Sequence, residues 1–156
     1  MPNDLPPPPA ATPPAPLPKY GPPISLARAK QVMAAAEAEA VANGWAAAIA
    51  IVDSTGHLCM LHKMDQANLG AVAIAPLKAE SAVKFRRPTK VFEDLLLSGP
   101  AGLRMLALSA ELLAVEGGVP LILDGELIGA VGVSGMQSFQ DGQVASAGAR
   151  AVASSG

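Results

Sequence analysis

The first regular pattern of apolar positions along the chain has the spacing of an α-helix. It starts after Ser25, whose hydroxyl can cap the first turn, and ends at Asn43-Gly44, where glycine permits a left-handed residue. The apolar positions between them are Leu26, Ala29, Val32, Met33, Ala36 and Ala40. This spacing predicts a first helix from Ser25 to Asn43.

Two short apolar runs then predict a β-hairpin. Residues 45–52 read Trp-Ala-Ala-Ala-Ile-Ala-Ile-Val and are bounded by turn residues, which favours a strand. After the turn Asp53-Ser54-Thr55-Gly56, residues 57–64 would return as an antiparallel second strand.

A stronger hairpin signal comes later, where Asp124-Gly125 separates the apolar runs 119–123 and 126–134. Both faces of the second run are apolar or glycine, so helices or another subunit must cover each face.

Helices are predicted between and after the two hairpins. One covers roughly Pro76 to Arg86, with the proline in its first turn, and a short one lies between Pro88-Thr89 and Ser98-Gly99-Pro100. A mobile connection is expected over residues 103–109. The last helix runs from Ser138 to about residue 152, with Asp141 three residues after the serine as in a capping box. The order helix, hairpin, helices, hairpin, helix predicts one α/β (α+β) domain.

The N-terminal segment lacks these patterns. Residues 1–23 contain eleven of the fifteen prolines, which favour polyproline II over any packed element. We therefore expect a disordered proline-rich leader, acting as a spacer or tail rather than as a ligand for a proline-recognising groove, followed by one domain over residues 24–156.

Composition narrows the range of partners. Hydrophobic residues make up 51% of the chain and charged residues 15%, below the roughly 25% of ordinary domains, so we expect a homo-oligomer that buries the apolar excess. A net charge of −2 without a basic face argues against nucleic acid as a partner.

Location is predicted from the absence of targeting segments. No apolar run is long enough for a membrane helix and no secretory signal begins the chain, so we expect cytoplasmic residence and no membrane association. The single Cys59 excludes an internal disulfide.

Lys78 is the most informative polar residue, because it shares a helical face with apolar residues. These are Ala71, Ile74, Ala75, Ala82 and Phe85. Either its aliphatic stem covers apolar surface while the ammonium reaches water, or the amine holds an anion at a pocket wall, or it is a lysine of lowered pKa. Phosphate-loop, dinucleotide-fold, zinc-protease and serine-hydrolase motifs are absent.

The two histidines lie on one predicted strand. His57 and His62 are five residues apart and point to opposite faces, so they do not bind one metal together. Either could be a single axial ligand to iron, with Cys59, Met60 and Met64 as soft neighbours; a purely structural role is the alternative.

Glycine recurs at every third residue of the last strand, at Gly129, Gly132 and Gly135. The pair Gly117-Gly118 precedes the strand that is its hairpin partner. Glycine in a strand marks close approach, either of a ligand or of the terminal helix packed on the sheet.

These stretches together resemble the GlcG/HbpS family of haem-binding or haem-degrading domains, which also occur fused to some cobalamin adenosyltransferases. The resemblance covers nearly everything after residue 24. It rests on Ala50-Ile-Val-Asp53, Gly56-His57-Leu58, Met64-Asp65 with Ala67, Ile74-Ala75, Lys78-Ala79, Phe85, Gly117-Gly118-Val-Pro120-Leu121, residues 124–135, Gln140-Asp141 and Ala147-Gly148.

The resemblance implies a central antiparallel sheet of about five strands flanked by helices, and assembly into dimers, tetramers or octamers. It implies haem or a related tetrapyrrole as ligand and possible cofactor, with His57 or His62 as axial ligand. Further ligand-binding candidates are Lys78, His62, Met64, Arg86, Arg87, Gly118, Gly132 and Ser134.

The resemblance also permits an alternative activity, a metal-independent lyase acting on a small aromatic acid such as a hydroxylamino-aromatic acid. Lys78, Arg86 or Arg87 would then hold the carboxylate, while Asp65 or His57 would move protons. Two positions depart from the family pattern: Gly142 stands where an acidic residue is common, and Pro76 interrupts the helix before Lys78.

Overall fold

A computed structural model describes residues 16–153 of the chain. Within that range the elements follow one another as β1 Lys19–Tyr20, α1 Leu26–Asn43, β2 Ala48–Asp53, β3 Leu58–Lys63, α2 Leu69–Phe85, α3 Thr89–Leu97, a 3-10 helix Pro100–Ala107, β4 Gly118–Leu123, β5 Glu126–Ser134 and α4 Ser138–Ala153.

The sheet is built around β5, which pairs antiparallel with β4 on one side and with β2 on the other. Strand β3 pairs antiparallel with β2 at the far edge. The short β1 lies beside the start of β5 and runs parallel to it, with Lys19 opposite Glu126. The predicted mixed α/β fold with a central sheet of about five strands is confirmed, and only β1 departs from the antiparallel pattern.

Helices cover both faces of this sheet, as the two-sided apolar pattern of β5 predicts. Side chains of β2 and β5 such as Ile49 and Val131 point into a core formed with α1 and α4. Their alternate neighbours, including Ala50 and Ala130, face α2. The small residues on this second face let α2 lie close to the strands.

The signals that mark helix and hairpin ends agree with the structure. Ser25 accepts a hydrogen bond from the Arg28 N–H at 3.2 Å, and Gly44 is left-handed with φ of 70°. Asp124 and Gly125 both have positive φ, 51° and 79°, as a two-residue hairpin turn requires.

Part of the predicted leader belongs to the fold. Tyr20 donates from its hydroxyl to the Val83 carbonyl at 2.8 Å, and Arg86 donates to the Pro18 carbonyl at 3.2 Å. A parallel pairing of two residues has no periodicity in sequence, so pattern alone could not find it. The prediction of disorder for residues 1–15 falls outside the described residues.

Helix α2 begins at Leu69, earlier than predicted, and contains Pro76 in its interior. The Asn68 side chain accepts a hydrogen bond from the Ala71 N–H at 2.9 Å and so caps the true first turn. Proline removes one helical hydrogen bond, but Ala71 and Ala75 are buried against the sheet. This packing of the first turns explains why the helix extends before the proline.

The connection over residues 103–109 is largely a 3-10 helix, and its mobility stays a prediction. One smaller expectation is wrong. Asp141 does not complete a capping box with Ser138, because its carboxylate turns inward and accepts a hydrogen bond from the Met136 N–H at 3.0 Å.

Candidate functional site

Lys78 lies buried between α2, β5 and α4, with only 2% of its surface exposed. Its Nζ donates to the Asp141 carboxylate and to the Val133 carbonyl, each at 3.0 Å. The interpretation in which the ammonium escapes to water is therefore wrong. A buried cation of this kind is tolerated because an anion and a carbonyl replace its water shell.

Asp141 is as deeply buried as its partner. Burial raises the pKa of its carboxyl, while the Lys78 ammonium and the Met136 N–H oppose that rise by stabilising the charged form. The pair joins the middle of α2 to the first turn of α4.

A cavity of about 190 Å³ opens beside this pair, and we call it the lysine cavity. Ser134, one of the predicted ligand-binding residues, lies on its wall. The complete lining is Ile74, Lys78, Leu113, Val115, Ser134, Met136, Ser138 and Asp141.

A second cavity of about 190 Å³ lies beside Gly117 and Gly118, and we call it the glutamate cavity. Gly117 is packed against Lys78, since a Cβ at Gly117 would lie 2.8 Å from the lysine Nζ. The lining of the glutamate cavity is Pro88, Lys90, Glu116, Gly117, Gly118, Val119, Gly142 and Ser146.

Two glycines of the sheet allow the backbone of α2 to approach. A Cβ at Gly132 would lie 2.1 Å from the Ala75 carbonyl oxygen, and one at Gly118 would lie 2.2 Å from that of Lys78. The approaching element at these two positions is α2, so the terminal helix named in the packing interpretation is wrong there; Gly129 and Gly135 face the backbone of Val52 and Ala46. Gly132 lines none of the three cavities described here, whereas Gly118 lines the glutamate cavity.

The third cavity is larger and more open, about 480 Å³, and lies between the end of α1 and the end of β3. We call it the tryptophan cavity. Two candidate residues, Met64 and Asp65, line it together with Glu37, Val41, Gly44, Trp45, Ala46 and Lys63.

His62 is connected to the tryptophan cavity by a hydrogen bond to Glu37, which lines that cavity. The bond is made by Nδ1 of the ring, and nearly half of the His62 side chain is exposed. Among residues 16–153 no further hydrogen bond occupies Nε2. The carboxylate favours a proton on Nδ1, which leaves Nε2 as the free acceptor.

The other predicted site residues are not brought to these cavities. His57 lies in the turn before β3, where its Nδ1 contacts the Thr55 hydroxyl at 2.6 Å. Arg86 stacks over Tyr20 and Arg87 over Phe92, so both guanidinium groups support the fold. No group of three or more metal-binding side chains occurs in the described part of the chain.

Sequence reasoning missed Trp45, Glu37 and Glu116 as site residues and placed Asp141 in a cap. A partial signal existed, because Glu116 stands directly before the glycine pair. Trp45, Glu37 and Asp141 come close to the other residues of their sites only through the tertiary packing around α1 and α4, which no local pattern predicts.

The structure is an α+β domain with helices on both faces of one sheet. The family described as haem degrading protein HbpS-like matches residues 24–150, and the chain belongs to this family. Among the described residues 16–153, no helix has the length and apolarity needed to span a membrane.

Individual relatives agree with this assignment. The chain is 42% identical to protein GlcG of Escherichia coli K12 over 112 residues, which covers 71% of this chain and 81% of GlcG. The crystal structure of Klebsiella pneumoniae protein ORFY superposes with a TM-score of 0.78 and 28% identity, covering 86% of this chain and 93% of ORFY. A PduOC:heme complex superposes with a TM-score of 0.73 and 29% identity, covering 83% and 94% respectively.

Proposed function

We propose that the chain binds haem or a related tetrapyrrole at the tryptophan cavity, with His62 as axial ligand, and that it does so as a homo-oligomer. Family membership and the haem complex of the PduOC relative support this ligand class. The observation that carries the assignment of residues is the Glu37–His62 pair beside the cavity.

Cavity size favours the tryptophan cavity over the other two. A tetrapyrrole is a drug-sized planar ligand, and pockets for such ligands measure roughly 300–1,000 Å³. The tryptophan cavity, at about 480 Å³, falls within that range. The lysine and glutamate cavities, at about 190 Å³ each, are too small.

The chemistry of the lining suits the same ligand. Metal-binding histidines commonly donate their second ring N–H to a carboxylate, which orients the ring and raises the basicity of the free nitrogen. Glu37 gives His62 this arrangement. Trp45 offers an aromatic face, Met64 a thioether, and Lys63 a cation for a propionate. Bound haem would supply an iron centre that accepts an axial nitrogen and exchanges electrons.

Haemin titration followed by the Soret band tests the proposal. We expect a saturable shift for the unaltered chain, its loss in His62→Ala, and its retention in His57→Ala, the matched control on the neighbouring turn. No saturable shift at all would contradict haem binding. An unchanged shift in His62→Ala would contradict the ligand assignment.

An exposed apolar surface supports the oligomer. Helix α3 and the following 3-10 helix, which we call the apolar arm, carry leucines that a soluble monomer would leave in water. They are Leu95, Leu97, Leu103, Leu106 and Leu108. A second copy of the chain that covers these leucines would remove the free-energy cost of their contact with water.

The lysine cavity favours a second candidate, the metal-independent lyase for a small aromatic acid. Its volume suits one substituted ring, and Lys78 has a third N–H beyond the two that it donates within the fold.

Turnover of hydroxylamino-aromatic acids tests the lyase candidate. We expect activity that is lost in Lys78→Met and kept in the surface control Lys84→Met. No turnover by the unaltered chain would exclude the lyase.

A further inference from the structure

The glutamate cavity has one carboxylate on its wall, that of Glu116. Glu116 lines the cavity, and in the described part of the chain its side-chain oxygens have no hydrogen-bond partner. The Glu116 side chain is only partly buried, so water can reach its carboxylate and a ligand can replace that water. A carboxylate kept in this state at a cavity wall is available to a ligand.

The surrounding backbone is arranged around this side chain. A Cβ at Gly142 would lie 2.2 Å from Glu116 Oε1, so the carboxylate occupies the space that any side chain at position 142 would need. The Glu116 N–H donates to the Glu93 carboxylate at 3.2 Å, which fixes the start of the segment. The first contact places the carboxylate against α4, and the second fixes the backbone of Glu116.

The charge balance of the cavity wall favours a cation. Lys90, the one cationic residue of the lining, donates to both oxygens of Asp94 at 3.0 and 3.1 Å, so its charge is already matched. Glu116 is therefore a carboxylate of the wall without a hydrogen-bonded cation. Burial raises the pKa of Glu116, and Lys90 and Lys78 oppose that rise. Glu93 and Asp94 add to the rise, and a bound cation would lower the pKa.

The remaining lining is small and mainly apolar, with Pro88, Val119 and three glycines. A volume of about 190 Å³ corresponds to roughly six liquid water molecules at about 30 Å³ each. This space accommodates a short alkyl chain or a single ring, but no tetrapyrrole.

We propose that the glutamate cavity is a separate binding site for a small primary amine, whose ammonium group is held by the Glu116 carboxylate and whose apolar body lies against Val119 and Pro88. The site is independent of the haem proposal, because it shares no lining residue with the tryptophan cavity.

Calorimetric titration with butylamine tests the proposal, with butanol and butyrate as probes of equal chain length and different charge. We expect saturable binding of the amine and much weaker binding of both controls. Glu116→Gln should weaken amine binding by about tenfold or more, since a charge-assisted hydrogen bond is lost. Glu111→Gln, which alters an exposed carboxylate elsewhere, should leave it unchanged.

Ser146→Phe provides a second variant that fills the cavity from α4 and keeps Glu116; it should abolish amine binding. Both variants should keep the haemin response, which separates this site from the haem site. Equal binding of butanol and butylamine, unchanged binding in Glu116→Gln, or no saturable binding of any amine from ethylamine to hexylamine would overturn the proposal.

Discussion

At the scale of single residues, the sequence identified one half of the buried ion pair. Lys78 stood out because a cation interrupts an apolar helical face, and that signal is local. Asp141 lies 63 positions away and has the local appearance of a helix cap. Its role depends on how α4 packs against α2, which no local pattern encodes.

The ion pair makes a prediction about stability. Lys78→Met and Asp141→Leu should each destabilise the fold by about 3–5 kcal/mol, because each leaves one buried charge without its partner. The double variant should lose much less than the sum of the two. Urea unfolding of the four proteins measures this coupling. Strictly additive losses would show that the two side chains act independently.

Cys59 carries a second prediction at this scale. Partial burial raises the pKa of its thiol above the ordinary value of a cysteine, and the nearby Asp53 carboxylate adds to the rise. Since the thiolate is the reactive form, alkylation by iodoacetamide should be slower at pH 7 than for a cysteine in a short peptide. The rate should increase steeply only in the alkaline range. A thiol that reacts fully at neutral pH would refute the assigned environment.

At the scale of elements, most helices and strands were predictable because their caps and periodicities are local. The start of α2 was not, since Pro76 is a strong stop signal while the opposing packing of Ala71 and Ala75 is tertiary. The same close packing explains Gly118 and Gly132. They were recognised as points of close approach, but only the structure identifies α2 as the approaching element there.

This packing predicts different outcomes for two glycine substitutions. Gly132→Ala places a methyl group 2.1 Å from the Ala75 carbonyl, so it should destabilise the fold by about 1–3 kcal/mol or more. Gly70→Ala, in the first turn of α2, meets an atom only at 3.5 Å and should be neutral or stabilising by about 0.5–1 kcal/mol. Thermal unfolding compares them. Equal effects would argue against a tight α2–sheet contact.

At the scale of the whole molecule, composition pointed to an apolar excess, and the structure locates much of it on the apolar arm. There, Leu97 and Leu106 are 76% and 65% exposed. Sequence could not specify this surface, because the second half of the arm, residues 103–109, was expected to be a mobile connection. Nor could it find β1, whose two residues carry no pattern.

The oligomer proposed above yields a prediction for this surface. Leu97→Lys combined with Leu106→Lys should reduce the molar mass measured by light scattering toward that of one chain, because two charges would be buried at the interface. Gln31→Lys, on the exposed face of α1, should leave the mass unchanged. A monomeric unaltered chain, or an oligomer insensitive to both lysines, would contradict the assignment of the apolar arm.

The haem site itself is tested most directly by a structure of the chain grown with haemin. The account predicts the macrocycle in the tryptophan cavity beside Trp45 and Met64, with iron bound to His62 Nε2 and Glu37 still on Nδ1. A macrocycle seated elsewhere, or iron held by a residue other than His62, would contradict it.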